Sequence, residues 1–142
     1  MFQQRLTIRA RFEHLQKVRQ VVEQAAAAAG LTPRDSYGCQ LAVSEALENI
    51  IRHGYGGETD LPIEIDVLAK AGTLTIEVED RAPPFNPAAS PPECELDAEN
   101  PPVGGLGLMI IHRAMDEVEY QRREDANWLC MRKRAAEDQA NT

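Results

Sequence analysis

Apolar and polar residues alternate around Leu6 and Ile8 within residues 3–10, a spacing that predicts an edge strand. From about Phe12 to Ala29 the apolar positions Leu15, Val18, Val22 and Ala25/Ala26 fall at helical spacing, and Gly30 follows as a C-cap. Thr32 is placed to cap a second helix, with Pro33 in its first turn; this helix should run to about His53 and close at Gly54. Residues 62–69 and 73–80 alternate again and are joined by Lys70-Ala71-Gly72, the pattern of a β-hairpin with one wet face. Gly105 to Met115 reads as a third helix, and two strands at about 117–123 and 127–134, turning at Glu124-Asp125-Ala126, complete the chain.

Between the first hairpin and the third helix the pattern breaks. Seven of the nine prolines lie from Pro83 to Pro102, mixed with Glu93, Glu95, Asp97 and Glu99, so residues 83–103 can be neither helix nor central strand. A segment of that length inside a small domain suggests a functional lid, the alternative being a static surface insertion. The order strand, helix, helix, hairpin, lid, helix, hairpin predicts an α+β protein: a two-layer α/β sandwich whose mixed, largely antiparallel sheet is covered on one face by helices. The spacing fits neither a Rossmann fold nor a P-loop.

Length and composition narrow the class. The 142 residues suit a single domain, residues 1–142, with an ordinary core, and 43% hydrophobic with 27% charged residues is a globular balance. No apolar run approaches a membrane span and the first residues do not resemble a secretory signal, which points to a cytoplasmic protein. A net charge of −8, with no basic patch interleaved with aromatics, argues against direct nucleic-acid binding, and Arg132-Lys133-Arg134 reads as a solvated chain end. Cys39, Cys94 and Cys130 are widely spaced and fit free thiols better than a disulfide framework or a zinc site.

The second helix carries the candidate chemistry. Val43, Ala46, Leu47, Ile50 and Gly54 form its expected core stripe, whereas Glu45 and Asn49, four residues apart, should point together at one small volume. An Asn carbonyl is a suitable single protein ligand for a magnesium ion on a triphosphate, and a carboxylate beside it can take a proton from an attacking hydroxyl. His53 is expected on the same side, within reach of phosphate. Asp80, at a strand end, can accept from an exocyclic amine such as that of adenine. Gly104-Gly105-Leu106-Gly107-Leu108, opening a helix, lets backbone N–H groups approach phosphate oxygens. Arg11 and Arg19, on or near the first helix, are candidate partner contacts.

In order, these motifs resemble the Bergerat-fold (GHKL) ATPase superfamily and, within it, the small anti-sigma factor serine/threonine kinases. Val43-Ser44-Glu45-Ala46-x-x-Asn49-x-Ile51-x-His53-Gly54-Tyr55 is similar to that family's N box, and Gly104 to Leu108 to its second glycine box. The resemblance implies ATP and Mg2+ as ligands, Glu45 as catalytic base and Asn49 as magnesium ligand. It further implies Asp80 as the adenine-amine acceptor and Gly105 and Gly107, followed by Leu108, as the phosphate-contacting hinge of the lid. It also implies a kinase that phosphorylates a STAS-domain anti-anti-sigma protein, binds a sigma factor and forms a homodimer. Two departures stand out. Asp80-Arg81-Ala82-Pro83-Pro84 replaces the glycine-containing D-x-G-x-G form, and the late-strand threonine near adenine has no match, Asn127 or Trp128 standing close to its place. Two other functions are open: a non-catalytic ATP-binding module that sequesters its partner, and the detached catalytic half of a histidine kinase, which lacks here the helical hairpin bearing a phospho-accepting histidine.

Overall fold

The computed structural model describes residues 1–84 and 105–136. The expected lid therefore lies, from residue 85 on, outside the described residues. Strand β1 spans Phe2–Arg9, helix α1 Leu15–Ala29, α2 Pro33–Asn49, β2 Pro62–Lys70, β3 Thr73–Asp80, α3 Gly105–Ala114, β4 Glu117–Arg123 and β5 Ala126–Arg134. A 3-10 turn, Phe12–His14, occupies what the spacing assigned to the start of the first helix. The ends of α1 and α2 follow from local chemistry. Gly30 takes a left-handed φ of 80° that stops α1, and the Thr32 hydroxyl accepts from the Asp35 N–H at 3.1 Å at the start of α2.

The five strands form one sheet in the order β1-β2-β3-β5-β4. Every pairing among the described strands is antiparallel, so the mixed component expected from sequence is absent. The β2–β3 connection is tight because Ala71 and Gly72 both take positive φ, 52° and 74°, the backbone twist that a two-residue hairpin needs. The β3–β5 register places Asp80 directly opposite Asn127.

The period-two pattern decides which side the helices cover. Ile63, Ile65, Val67 and Ala69 of β2, Leu74, Ile76 and Val78 of β3, and Leu129 and Met131 of β5 are buried against Val18, Val22, Val43, Leu47 and Ile111 of the helices. Burying side chains of this size contributes roughly 1.5–3 kcal/mol each, before the entropy of ordering them. The described residues share this one core. The other face of the sheet carries Glu64, Asp66, Glu77 and Glu79, and there the Arg123 guanidinium lies over the Trp128 ring at 4.1 Å. Arg132-Lys133-Arg134 is not a loose chain end: it closes β5, with Arg132 and Arg134 paired to Glu117 and Lys133 to Asp116. No helix among the described residues is long and apolar enough to cross a membrane.

Candidate active site at the end of the second helix

Helix α2 does not run uniformly to Gly54. Regular α geometry ends at Asn49, and Ile50–Gly54 form one π turn in which the Tyr55 N–H donates to the Ile50 carbonyl at 2.7 Å. Such wide turns are rare in helices and frequent at functional sites. The turn ends in close packing: a Cβ at Gly54 would lie 2.9 Å from the Cβ of Ala82, so glycine lets the end of the helix close onto the chain that leaves β3. The π turn also breaks the four-residue stacking beyond Asn49. His53 is exposed on this turn and is not part of the cavity beside Asn49.

Glu45 and Asn49 converge, as their spacing predicts, and what they meet is the first turn of α3. A Cβ built on Gly107 would stand 2.7 Å from Oε2 of Glu45 and 3.6 Å from Nδ2 of Asn49. The Asn49 side chain is buried, only 7% exposed, and its Nδ2 has no hydrogen-bond partner. An unsatisfied buried amide costs about 1–3 kcal/mol, so this orphan marks a place where a polar group is accommodated. Burial raises the pKa of the half-buried Glu45 above the usual carboxylate value, Glu48 adds to the rise, and Arg52 opposes it. That direction makes Glu45 a stronger base than an exposed carboxylate. Gly105 is the first residue of α3, and Leu108 is half-buried one residue beyond Gly107.

The second half of the site is built on the sheet. Asp80 is 5% exposed at the end of β3, and its Oδ1 accepts from the Ala82 N–H at 2.9 Å and from Asn127 Nδ2 at 3.0 Å. Burial raises its pKa, against the lowering effect of those two donors and of Arg122. Asp80, Asn127, Tyr120, Leu129, Ala82 and Gly54 line a small, mostly apolar cavity that reaches Ala46, Ile50 and Asn49. Its volume, about 20 Å³, is that of roughly one water. A larger trough of about 420 Å³ lies on the helix-free face of the sheet; Trp128 lines it, but Glu45, Asn49, His53, Asp80 and Gly107 do not.

Asn49 belongs to both halves, and the structure thus brings together Glu45, Asn49, Asp80 and Gly107 while leaving His53 outside. Asn127, Tyr120 and Gly54 carry more of the site than the sequence suggested. Counting register back from the final hairpin would have put Asn127 beside Asp80. No sequence signal announces the π turn. No cluster of three or more His, Cys, Asp or Glu residues suited to a metal occurs among the described residues. Cys39 and Cys130 are buried free thiols, pushed by desolvation to about 12 and about 11, and are inert at neutral pH.

Residues 8–133 match the family described as histidine kinase-like ATPase domain. The chain is 31% identical over 119 residues to the serine-protein kinase RsbW of Listeria monocytogenes, covering 80% of this chain and 76% of that protein. It is 29% identical over 99 residues to the serine/threonine-protein kinase BtrW of Bordetella bronchiseptica, covering 68% of each. In fold it is similar to the RsbU and RsbW domains of Rv1364c from Mycobacterium tuberculosis, with a TM-score of 0.65 at 19% identity, over 94% of this chain and 32% of that one. It is similar also to a chain of the SiaB-SiaC complex from Pseudomonas aeruginosa, with a TM-score of 0.62 at 13% identity, over 91% and 88%. The chain belongs to the histidine kinase-like ATPase family, among relatives of the RsbW serine-protein kinases.

Proposed function

We propose that this protein is an ATP-dependent serine/threonine kinase of a partner-switching pathway, acting in the cytoplasm as an anti-sigma factor. In this reading it phosphorylates a STAS-domain antagonist, binds a sigma factor and works as a homodimer. The observation that carries the reading is the convergence of Glu45 and the orphaned Asn49 amide on the side-chain-free Gly107 at the start of α3. Relatives named serine-protein kinases support the choice of acceptor.

The residues present fit magnesium-ATP. Asn49 offers an amide oxygen to the ion, Asp80 an acceptor for the adenine amine, and the first turn of α3 offers N–H groups and the positive end of its dipole to phosphate. Bound ATP supplies an activated terminal phosphoryl group whose charge magnesium screens. The protein would supply position and one proton transfer: Glu45 would accept the proton of the incoming serine or threonine hydroxyl as that oxygen bonds to the terminal phosphorus and the bond from phosphorus to the bridging oxygen breaks, releasing ADP. Removing Glu45 water contacts by burial keeps its basicity high.

The test is Glu45→Gln, incubated with ATP and a STAS-domain protein from the same organism. The amide preserves shape and nucleotide affinity but is no base, so phosphotransfer should vanish while binding persists. Phosphorylation at the wild-type rate overturns the assignment of Glu45; absence of phosphotransfer by the wild-type protein, with ATP and partner both bound, favours the sequestering module instead.

A further inference from the structure

The β3–β5 register sets Asn127 opposite Asp80, and its side chain is 4% exposed. Its Nδ2 donates to Asp80 Oδ1 at 3.0 Å, to the Ala82 carbonyl at 3.1 Å and to the Pro83 carbonyl at 3.0 Å. Its Oδ1 accepts from the Tyr120 hydroxyl at 2.6 Å and from Arg122 at 3.3 Å. With acceptors on one end and donors on the other, only one orientation of the amide is satisfied. A second donor, Arg122, reaches the same Ala82 carbonyl at 2.8 Å, so the chain leaving Asp80 is pinned from the neighbouring strands.

We propose that Asn127, oriented by Tyr120, is the positioning residue that gives this site its preference for a purine bearing an amine. Among the described residues both hydrogen bonds to Asp80 fall on Oδ1. Asp80 lines the cavity that Asn127 and Tyr120 also line, and neither of these bonds engages Oδ2. By holding Oδ1, Asn127 stops the carboxylate from rotating and keeps Oδ2 as the acceptor for an exocyclic amine. A carboxylate held in this way needs no reordering on binding, and a preoriented acceptor discriminates more than a free one. The same amide fixes Ala82 and Pro83, so purine recognition and the root of the proline-rich segment share one anchor.

The inference rests on the nucleotide reading above, and the experiment separates the two. Affinities for ATP and for purine riboside triphosphate, which bears hydrogen in place of the amine, are measured on the wild-type protein, Asn127→Ala and Tyr120→Phe. One hydrogen bond to a charged group predicts a wild-type preference for ATP of about tenfold or more. In Asn127→Ala this ratio should fall to about twofold while the response to magnesium, set at Asn49, persists. Tyr120→Phe should lose part of the ratio, since Arg122 still holds the Asn127 oxygen; this variant keeps its ring and provides the test if Asn127→Ala folds poorly. If both affinities fall equally and the ratio is kept, Asn127 is merely structural and the inference is overturned with the nucleotide site intact. If the wild-type protein binds neither nucleotide, the nucleotide reading fails and takes the inference with it.

Discussion

Oε2 of Glu45 stands 2.7 Å from the point where a Cβ on Gly107 would be. Two residues 62 positions apart in sequence therefore share one space, and the absence of a side chain at Gly107 is what lets the carboxylate lie against the start of α3. The contact ties together the two motifs that looked most like a nucleotide site, one on α2 and one on α3.

Gly107→Ala should consequently impair catalysis more than folding. The atom in the way is the far end of a flexible side chain, so Glu45 moves and the backbone does not. Thermal unfolding is expected to change by no more than a few degrees, whereas phosphotransfer falls by about tenfold or more, the scale of losing a well-placed general base. A variant with the wild-type rate would show that Glu45 does not act from this position.

Gly54→Ala should do the opposite. Here the obstacle is Ala82 Cβ at 2.9 Å, on a backbone pinned by Asn127 and Arg122, and it cannot swing away. Overpacking of this kind costs about 1–3 kcal/mol. Urea denaturation should register that loss, and the pairing of Gly54→Ala with Ala82→Gly should recover most of it; no recovery would place the cause elsewhere.

Much of this architecture was legible because periodicity reports burial. Alternation around Ile65 and Ile76 announced strands, and helical spacing of Val18, Val22, Val43 and Leu47 announced the layer that covers them. The convergence of Glu45 and Asn49 followed from helix geometry alone. The π turn at Ile50–Gly54 was not legible, because nothing in the local spacing distinguishes it from continued α-helix, and the residue it packs against, Ala82, is remote in sequence. For the same reason α geometry could not be extrapolated to His53, which lies exposed on that turn. Asn127 stayed ambiguous with Trp128 because neighbouring strand residues face opposite ways, and one step of register decides which reaches Asp80.

The raised pKa of Glu45 gives the kinase reading a pH signature. A base acts deprotonated, so activity should fail on the acid side as Glu45 takes up its proton, at a pH above the usual carboxylate range. Glu48 contributes to the rise, and Glu48→Gln removes that repulsion. The acid limb of the rate profile should then move to lower pH, with the plateau at high pH unchanged. An unmoved limb would mean that a different group controls it.

Asp80 offers a test in the free protein. Its carboxyl is buried and its folded pKa lies above the unfolded value, so the native state holds the proton more tightly than the unfolded chain. The associated stability is present below the unfolded pKa and is lost as pH rises through the folded one. At neutral pH the ionised, desolvated Asp80 is therefore a burden that the Ala82 N–H and Asn127 only partly relieve. Asp80→Asn keeps an oxygen for both donors and carries no charge. The variant should melt a few degrees higher than wild type at pH 7, with the gap shrinking toward pH 4, while its preference for ATP over purine riboside triphosphate disappears. A variant less stable at pH 7 would mean that the carboxylate's hydrogen bonds outweigh its desolvation. A retained ATP preference would remove Asp80 from purine recognition. This combination, greater stability with poorer recognition, is what distinguishes a residue kept for its ligand from one kept for the fold.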